Sequence, residues 1–426
     1  MLRKPVEKVC IVGGGVGGLT LANVLAANMG GSNVTVVDDN MGSIGSRKKR
    51  GLGLWPQSQT VLKNVAVWEK LNKHEIPPAA YRDVRGNWLS SCSAQNQTRV
   101  VSVLEDELIN SLLAQAQSSM VNLVRGRAED VGVNSDGNFS VETTRGIISD
   151  CDILVGADGP KSVVRSHLFP TLPPTISRST SISILFDGHS QSIPSLQVEH
   201  RPFETLGRSK EGEPLRFAVV PFHNGHFCFG SFCSSLLPHS LSTCSDDQIY
   251  AYMKMLYAGF HSPIPELIEY GRQHKLELLI EQSTEYTSFD PSILEQEGGG
   301  PEHVYLIGDA WNLLPPNLAQ GASVSIEDAW ELGLAIARMQ PGMTSHQSKE
   351  FITRRRQRHR KYRQFTGFTH FISNLNPTLR DKTMKMVPSW ANSYIFDRSL
   401  MESLGGQDFQ ITPEEKNEQQ TNGRNQ

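Results

Sequence analysis

The sequence predicts a two-lobed α/β fold, in which a parallel sheet flanked by helices is interleaved with a second lobe rich in β-strands. Three observations predict it. Residues 8–40 read as strand, glycine turn, helix and strand. Two later apolar runs, "DILVGADG" from Asp152 and "VYLIGDA" from Val304, each end in a turn built from glycine and aspartate. Between them, from about 172 to 290, proline, serine and aromatic residues increase and strand-like alternation appears, as in "SISILFDG" and "RFAVVPFHNGHFCFGSF".

Taken in order, "KVCIVGGGVGGLTLANVLAANMGGSNVTVVDDN" (Lys8 to Asn40) is a βαβ start. A basic loop, Arg47 to Arg50, leads into "GLGLWPQSQTVLKNVAVWEKL", a turn followed by an amphipathic helix, and "VLEDELINSLLAQAQ" is helical again. Residues 121–158 alternate as short strands, with turns at "NSDGN" and "TTRG". A helix falls near 246–258 inside the β-rich stretch. Residues 304–340 return to strand, a Pro/Asn/Gly loop, and a helix on which Ile326, Ala329, Trp330, Gly333, Ile336 and Ala337 share one face. A basic helix covers 346–372. The Gln/Asn/Glu-rich segment after Gly405 predicts disorder.

Gly13, Gly15 and Gly18 form GxGxxG directly after the first apolar strand, with Val16 opening the helix. The first glycine allows the tight turn, the second lets backbone approach a pyrophosphate, and the third lets helix pack on strand. The helix N-terminus faces the anion with free N–H groups. Asp38 ends the second strand twenty residues after Gly18, where a carboxylate accepts ribose hydroxyls. The turn marks a Rossmann-like nucleotide site, yet by itself it fits FAD and NAD(P) equally.

The other two motifs separate them. With "DILVGADGPKSVVR" and "VYLIGDAWNLLPPNLAQGASVSIEDA" in the same order, the chain resembles the FAD-dependent aromatic hydroxylases, the single-component flavoprotein monooxygenases related to p-hydroxybenzoate, salicylate and urate hydroxylases and zeaxanthin epoxidase. The resemblance spans roughly residues 8–340. It implies a p-hydroxybenzoate hydroxylase-like fold, with residues 1–73, 102–171 and 296–345 as a discontinuous FAD-binding domain. Residues 74–101 and 172–295 are then the β-rich substrate domain, 346–402 a C-terminal helical segment and 403–426 a disordered tail. It further implies one non-covalent FAD, held by the first turn, with Gly308 and Asp309 at its sugar-alcohol chain. Asp158 then supports the phosphate region and the approach of NADH or NADPH. The loop carrying Pro316, Gly321 and Ala322 lies beside the isoalloxazine, with the following helix pointing its positive end at the ring.

Two departures stand out. The last motif usually carries a histidine where this chain has Asn312, and Ala319 replaces a glycine. The helix beginning at "VLEDEL" usually opens with an arginine near the FAD phosphates; here Glu105 takes that place, and an acid repels a pyrophosphate. Either Glu105 points away or FAD binds more weakly. Arg50 matches an arginine that touches the cofactor in several relatives, whereas Lys48 and Lys49 read as a solvated loop.

Arg216 has two readings of equal weight: a substrate-orienting residue, as in some relatives, or a surface strand residue. The tyrosine expected twelve residues on is Cys228. His223 and His226 read as solvated hairpin residues, too isolated for a metal site. The run "RRRQRHRKYR" (Arg354 to Arg363) reads as a solvated helix face, and Phe365, Phe368 and Phe371 after it as core packing in preference to a peripheral membrane patch.

Composition limits the partners. With 41 basic and 44 acidic residues the net charge is −3, which gives no general attraction to nucleic acid. Six scattered cysteines without a CxxC pair predict free thiols in a reducing compartment, and no apolar run reaches membrane-span length, so a cytoplasmic location is expected. The expected activity is an NAD(P)H-consuming, FAD-dependent monooxygenase. In that chemistry O2 adds at the flavin C4a position, and oxygen passes from the hydroperoxide to a small aromatic or olefinic substrate. A reductase or dehydrogenase of the same fold that does not use O2 is the alternative. A non-catalytic FAD-binding protein is a third reading, kept alive by Glu105 and Asn312.

Overall fold

The computed structural model describes residues 6–41, 50–76, 80–90, 100–168, 175–188, 193, 201–236, 241–285, 303–313, 320–339 and 344–387. Pro315, Pro316, Ala319, Lys48, Lys49 and the segment after Gly405 lie outside the described residues.

The chain opens with β1 (Val9–Val12), α1 (Val16–Met29) and β2 (Val34–Asp38). It then forms β3 (Gly51–Leu54), α2 (Pro56–Asn64) and β4 (His74–Ile76). Next come β5 (Ala80–Asp83), β6 (Trp88–Ser90), β7 (Val100–Leu104), α3 (Glu105–Ser118) and β8 (Asn122–Arg125). A meander of β9 (Ala128–Val133), β10 (Phe139–Thr143) and β11 (Gly146–Cys151) precedes β12 (Ile153–Gly156) and α4 (Val163–Leu168). The β-rich stretch holds β13 (Thr175–Asp187), β14 (Phe203–Arg208), β15 (Pro214–Phe222) and β16 (Gly225–Cys233). It continues through α5 (Asp246–Leu256), α6 (Ile264–Gln273) and β17 (Leu278–Glu285). The chain ends with β18 (Val304–Leu306), α7 (Gly321–Ala337), α8 (Thr344–Asn374) and α9 (Pro377–Met386).

Five strands pair in the order β18-β12-β1-β2-β8, all parallel. Their near-continuous apolar runs fit strands covered on both faces, and every residue of β1 and β12 is buried. A seven-stranded sheet, β17-β13-β16-β15-β14-β5-β6, carries the β-rich lobe. Its outer face packs Ile182, Phe217, Val219 and Phe232 against Tyr250, Met253 and Leu267 of α5 and α6. The small sheet β3-β7-β4 lies between the two cores, with Ser102 of β7 donating its hydroxyl to Pro221 O of β15 at 2.8 Å.

Four expectations need correction. Of the two hairpin histidines only His223 is solvated, while His226 is buried. "GLGL" is a strand, not a turn, because its backbone pairs antiparallel with β7 from Gly51↔Leu104 to Leu54↔Val101; two glycines hid the alternation. The basic run is not a solvated face. Arg355, Arg358, His359 and Tyr362 are buried, because α7 presents Glu327 and Asp328 to them; only Gln357, Arg360 and Lys361 of the stretch from 357 to 362 are exposed. Phe371 is 62% exposed and packs into no core, and the side chains of Phe365 and Phe368 lie outside the described residues. Among the described residues, no helix is long and apolar enough to cross a membrane.

Candidate functional site

The strand register brings the three motifs together. Val12, Val37, Gly156 and Leu306 sit at matched levels at the C-terminal ends of β1, β2, β12 and β18, so the glycine turn, Asp38, Asp158 and Asp309 all leave the sheet on one edge. A crevice at this edge, beside the strand where the connection reverses direction, is where open parallel sheets bind ligands. Gly13 has φ +110° and donates to Val37 O at 2.8 Å; a Cβ there would lie 2.3 Å from Ala157 O. A Cβ at Gly18 would lie 1.9 Å from Gly13 O, so only glycine lets α1 close on its strand. Around Gly15 a Cβ meets nothing within 4 Å, and no side chain caps α1 or places an acid in its first turn. That leaves an open cradle of N–H groups of the kind a pyrophosphate fills.

Polar groups aim into the same edge. Asp38 accepts from Gly14 N–H at 2.7 Å and from Asn40 N–H at 2.8 Å. Asp158 accepts from Val163 N–H at 2.7 Å through Oδ2, while its buried Oδ1 has no partner among the described residues. Burial pushes this carboxyl up, against the pull of Ser162 and the nearby N–H groups. Gln320, at the N-cap of α7, is 2% exposed, and neither side-chain polar atom has a partner among the described residues. Orphaned buried polar atoms of this kind are costly unless a ligand meets them, and FAD fits this set.

Glu105 and Arg50 are resolved in a way the sequence did not show. Arg50 grips Glu105 bidentately, at 2.8 and 2.9 Å, and reaches Glu281 of β17 at 2.7 Å. Glu105 therefore neither points away nor stands as a bare acid. These bonds use three of the five guanidinium N–H donors, and two carboxylates hold Arg50 charged against the cost of burial. Asp309 lies in the same field. Burial, together with Glu105, Glu281 and Asp328, outweighs Arg50 and pushes its carboxyl up to about 6.

Behind the third motif stands a buried ionic network that sequence reasoning missed. Asp328 accepts from Gly308 N–H at 3.0 Å, from Arg355 Nε at 2.7 Å, and meets His359 Nε2 at 2.9 Å. Burial raises its carboxyl, but His359 and Arg355 prevail and hold it at about 2. Glu327 takes Arg358 and Tyr362 at 3.0 and 3.2 Å. Arg363 bonds Asn312 Oδ1 from Nε at 2.9 Å and also from its terminal nitrogen, so Asn312 serves as an anchor for α8. Arg165 joins the second motif to the third, donating to Ala310 O at 2.6 Å and Pro160 O at 2.5 Å. One signal was available: Arg355, Arg358, His359 and Tyr362 recur at helical spacing, as do Glu327, Asp328 and Glu331.

In the β-rich lobe the Arg216 side chain is only 12% exposed and is bound bidentately to Glu204, at 2.5 and 2.8 Å, which excludes the surface-residue reading. Cys228 is not its partner, because it faces the opposite side of the sheet, in the core with Val219 and Ile184. Ser231 stands beside Arg216 instead.

Comparison with known proteins agrees with this geometry. The sequence model of the FAD binding domain family matches residues 7–227. FAD-dependent monooxygenase penE of Penicillium thymicola is 23% identical, over 82% of this chain and 74% of its own length. 3-Amino-4-hydroxybenzoate 2-monooxygenase PtnB3 of Streptomyces platensis is 24% identical over 88% of this chain and 92% of its own. The structure of Klebsiella pneumoniae HpxO with FAD and uric acid superposes with a TM-score of 0.72 at 18% identity, covering 94% of this chain and 98% of that one. That of 2-methyl-3-hydroxypyridine-5-carboxylic acid oxygenase gives 0.69 at 16% identity, covering 94% and 96%.

Proposed function

This chain belongs to the FAD-dependent aromatic hydroxylases and is an FAD-dependent monooxygenase, and we propose that it uses NADH or NADPH and O2 to hydroxylate or epoxidise a small aromatic or olefinic molecule. The observation that carries the reading is the convergence of the glycine turn, Asp158 and Asp309 on one edge of the parallel sheet. FAD held there would supply the redox chemistry that links nicotinamide oxidation to oxygen transfer from O2 to the substrate.

The chain's own residues bind and orient. The N–H groups at the start of α1 receive the pyrophosphate, Asp38 a ribose hydroxyl, and Asp309 a hydroxyl of the sugar-alcohol chain. Gly321 opens α7 with no acid in its first turn, so the helix end offers positive potential to the flavin ring. The inner face of the seven-stranded sheet holds the substrate and excludes water.

The test is O2 uptake by FAD-loaded protein with NADH or NADPH, across a panel of phenols, aromatic acids, purines and isoprenoids. Substrate-stimulated uptake with an oxygenated product supports the proposal. Nicotinamide oxidation without O2 uptake, coupled to substrate reduction, would replace it with a reductase.

A further inference from the structure

The substrate class is written in the charges of the inner sheet face. Cross-strand register places Arg216, Ser231, Ser181 and Glu281 in one row across β15, β16, β13 and β17. The adjoining row holds Glu204, Ala218, Phe229 and Ser183. At its Glu281 end this face reaches the cofactor edge through Arg50, and Phe227 sits where a Cβ on Gly51 would lie 3.1 Å away. The rows therefore form a floor that adjoins the cofactor edge.

An arginine on such a floor attracts carboxylates when its guanidinium is free to form a bidentate pair. Here Arg216 is already held by Glu204, with side-chain exposures of only 12% and 8%. Arg50, which meets the Glu281 end of the row, is held by Glu105 and Glu281. Among the described residues on and beside these two rows, the guanidiniums of Arg216 and Arg50 thus face Glu105, Glu204, Glu281 and Asp309. An incoming anion would meet an excess of negative charge, and like charges brought together in a closed site cost several kcal/mol. What remains between the ion pairs is serine hydroxyl and the ring of Phe229, a surface for a neutral molecule with an aromatic or olefinic body and a hydroxyl or carbonyl to bond.

We propose that the enzyme takes an uncharged substrate and rejects aromatic carboxylates, with Glu204 as the specificity-determining residue that silences Arg216. The inference rests on the monooxygenase reading given above.

The test uses FAD-loaded protein and two matched probes, methyl 3-hydroxybenzoate and 3-hydroxybenzoate, titrated against the flavin absorbance at pH 7.5. The wild type is expected to bind the ester at least about tenfold more tightly than the acid, since a like-charge penalty of even 1.4 kcal/mol gives that ratio. Glu204→Gln frees Arg216, so acid affinity is expected to rise about tenfold with ester affinity little changed. Glu204→Gln combined with Arg216→Gln is expected to abolish that gain. Equal or tighter acid binding by the wild type overturns the proposal without any variant. So does a folded Glu204→Gln protein whose ester-to-acid ratio is unchanged, and so does failure of both probes to perturb the flavin. FAD content and nicotinamide-driven O2 uptake, recorded on the same samples, separate this outcome from failure of the monooxygenase reading.

Discussion

Replacing Asp309 with asparagine is expected to stabilise the protein without cofactor while weakening its hold on FAD. The carboxyl is pushed up from 3.8 to about 6 by burial and by three neighbouring acids, so ionising it in the folded chain costs free energy. At about 1.4 kcal/mol per pH unit the distance corresponds to about 3 kcal/mol, reduced to about 1–2 kcal/mol because the side chain keeps some contact with water. The sign follows from which state ionises first. Below about pH 4 the group is protonated folded and unfolded, and wild type and Asp309→Asn differ little on its account. As pH rises toward 6 the unfolded chain ionises first, wild-type stability falls, and above 6 the full penalty stands. Asparagine carries no such penalty. Its loss of a charged acceptor for a ribityl hydroxyl is expected to cost about 1.5–3 kcal/mol of FAD binding, about tenfold to hundredfold in Kd. Urea denaturation of both apoproteins at pH 4.5 and 7.5, with FAD titrations by fluorescence quenching, measures both effects. A variant no more stable than wild type at pH 7.5, or an advantage that does not shrink at pH 4.5, refutes the electrostatic argument. Unchanged FAD affinity removes Asp309 from the site.

Three further outcomes are expected. Asp328→Asn should cost about 3–5 kcal/mol in chemical denaturation, since it strips the charge that Arg355 and His359 share in the interior; a loss below about 1 kcal/mol would mean the network relaxes around the amide. Glu105→Gln should tighten FAD binding severalfold and steepen its salt dependence, because it releases Arg50 toward the phosphates, whereas unchanged affinity and salt dependence would leave the phosphates to backbone N–H groups alone. Gly18→Ala should purify without flavin or not fold, as its Cβ would lie 1.9 Å from Gly13 O, and a yellow, stable variant would contradict the turn geometry.

The cofactor half of the site was legible because its determinants are local. Gly13, Gly18 and Asp38 act through backbone conformation and strand ends, which leave a readable spacing. The charged half was not, because a side chain's partner lies far along the chain. Glu105 looked anomalous until Arg50 closed on it across antiparallel β3 and β7, and Glu281 joins them from a different sheet. The basic run misled for the same reason. Periodicity shows that Arg355, Arg358 and Tyr362 share a face, yet only the packing of α8 on α7 shows that Glu327 and Asp328 turn it inward. Arg216 was singled out by its match to an arginine of some relatives, but its neutralising partner Glu204 is on the neighbouring strand β14, a pairing one sequence does not specify.

The route from Gly308 through Asp328 to Arg355 bears on biosynthesis. The ribosome delivers the glycine turn almost at once, yet β18, the sheet's outer strand beside β12, emerges only at residues 304–306, and the arginines that neutralise α7 follow some fifty residues later. Until then the nascent chain has half a cofactor cradle and, on α7, three acids, Glu327, Asp328 and Glu331, without the arginines of α8 that pair with them. Flavin capture is therefore expected to await the segment that carries Arg355, and contacts joined over such sequence distances form slowly. A translation product stopped before Arg355 should emerge colourless however intact its first two hundred residues, which makes the yellow of the flavin a reporter for synthesis through α8.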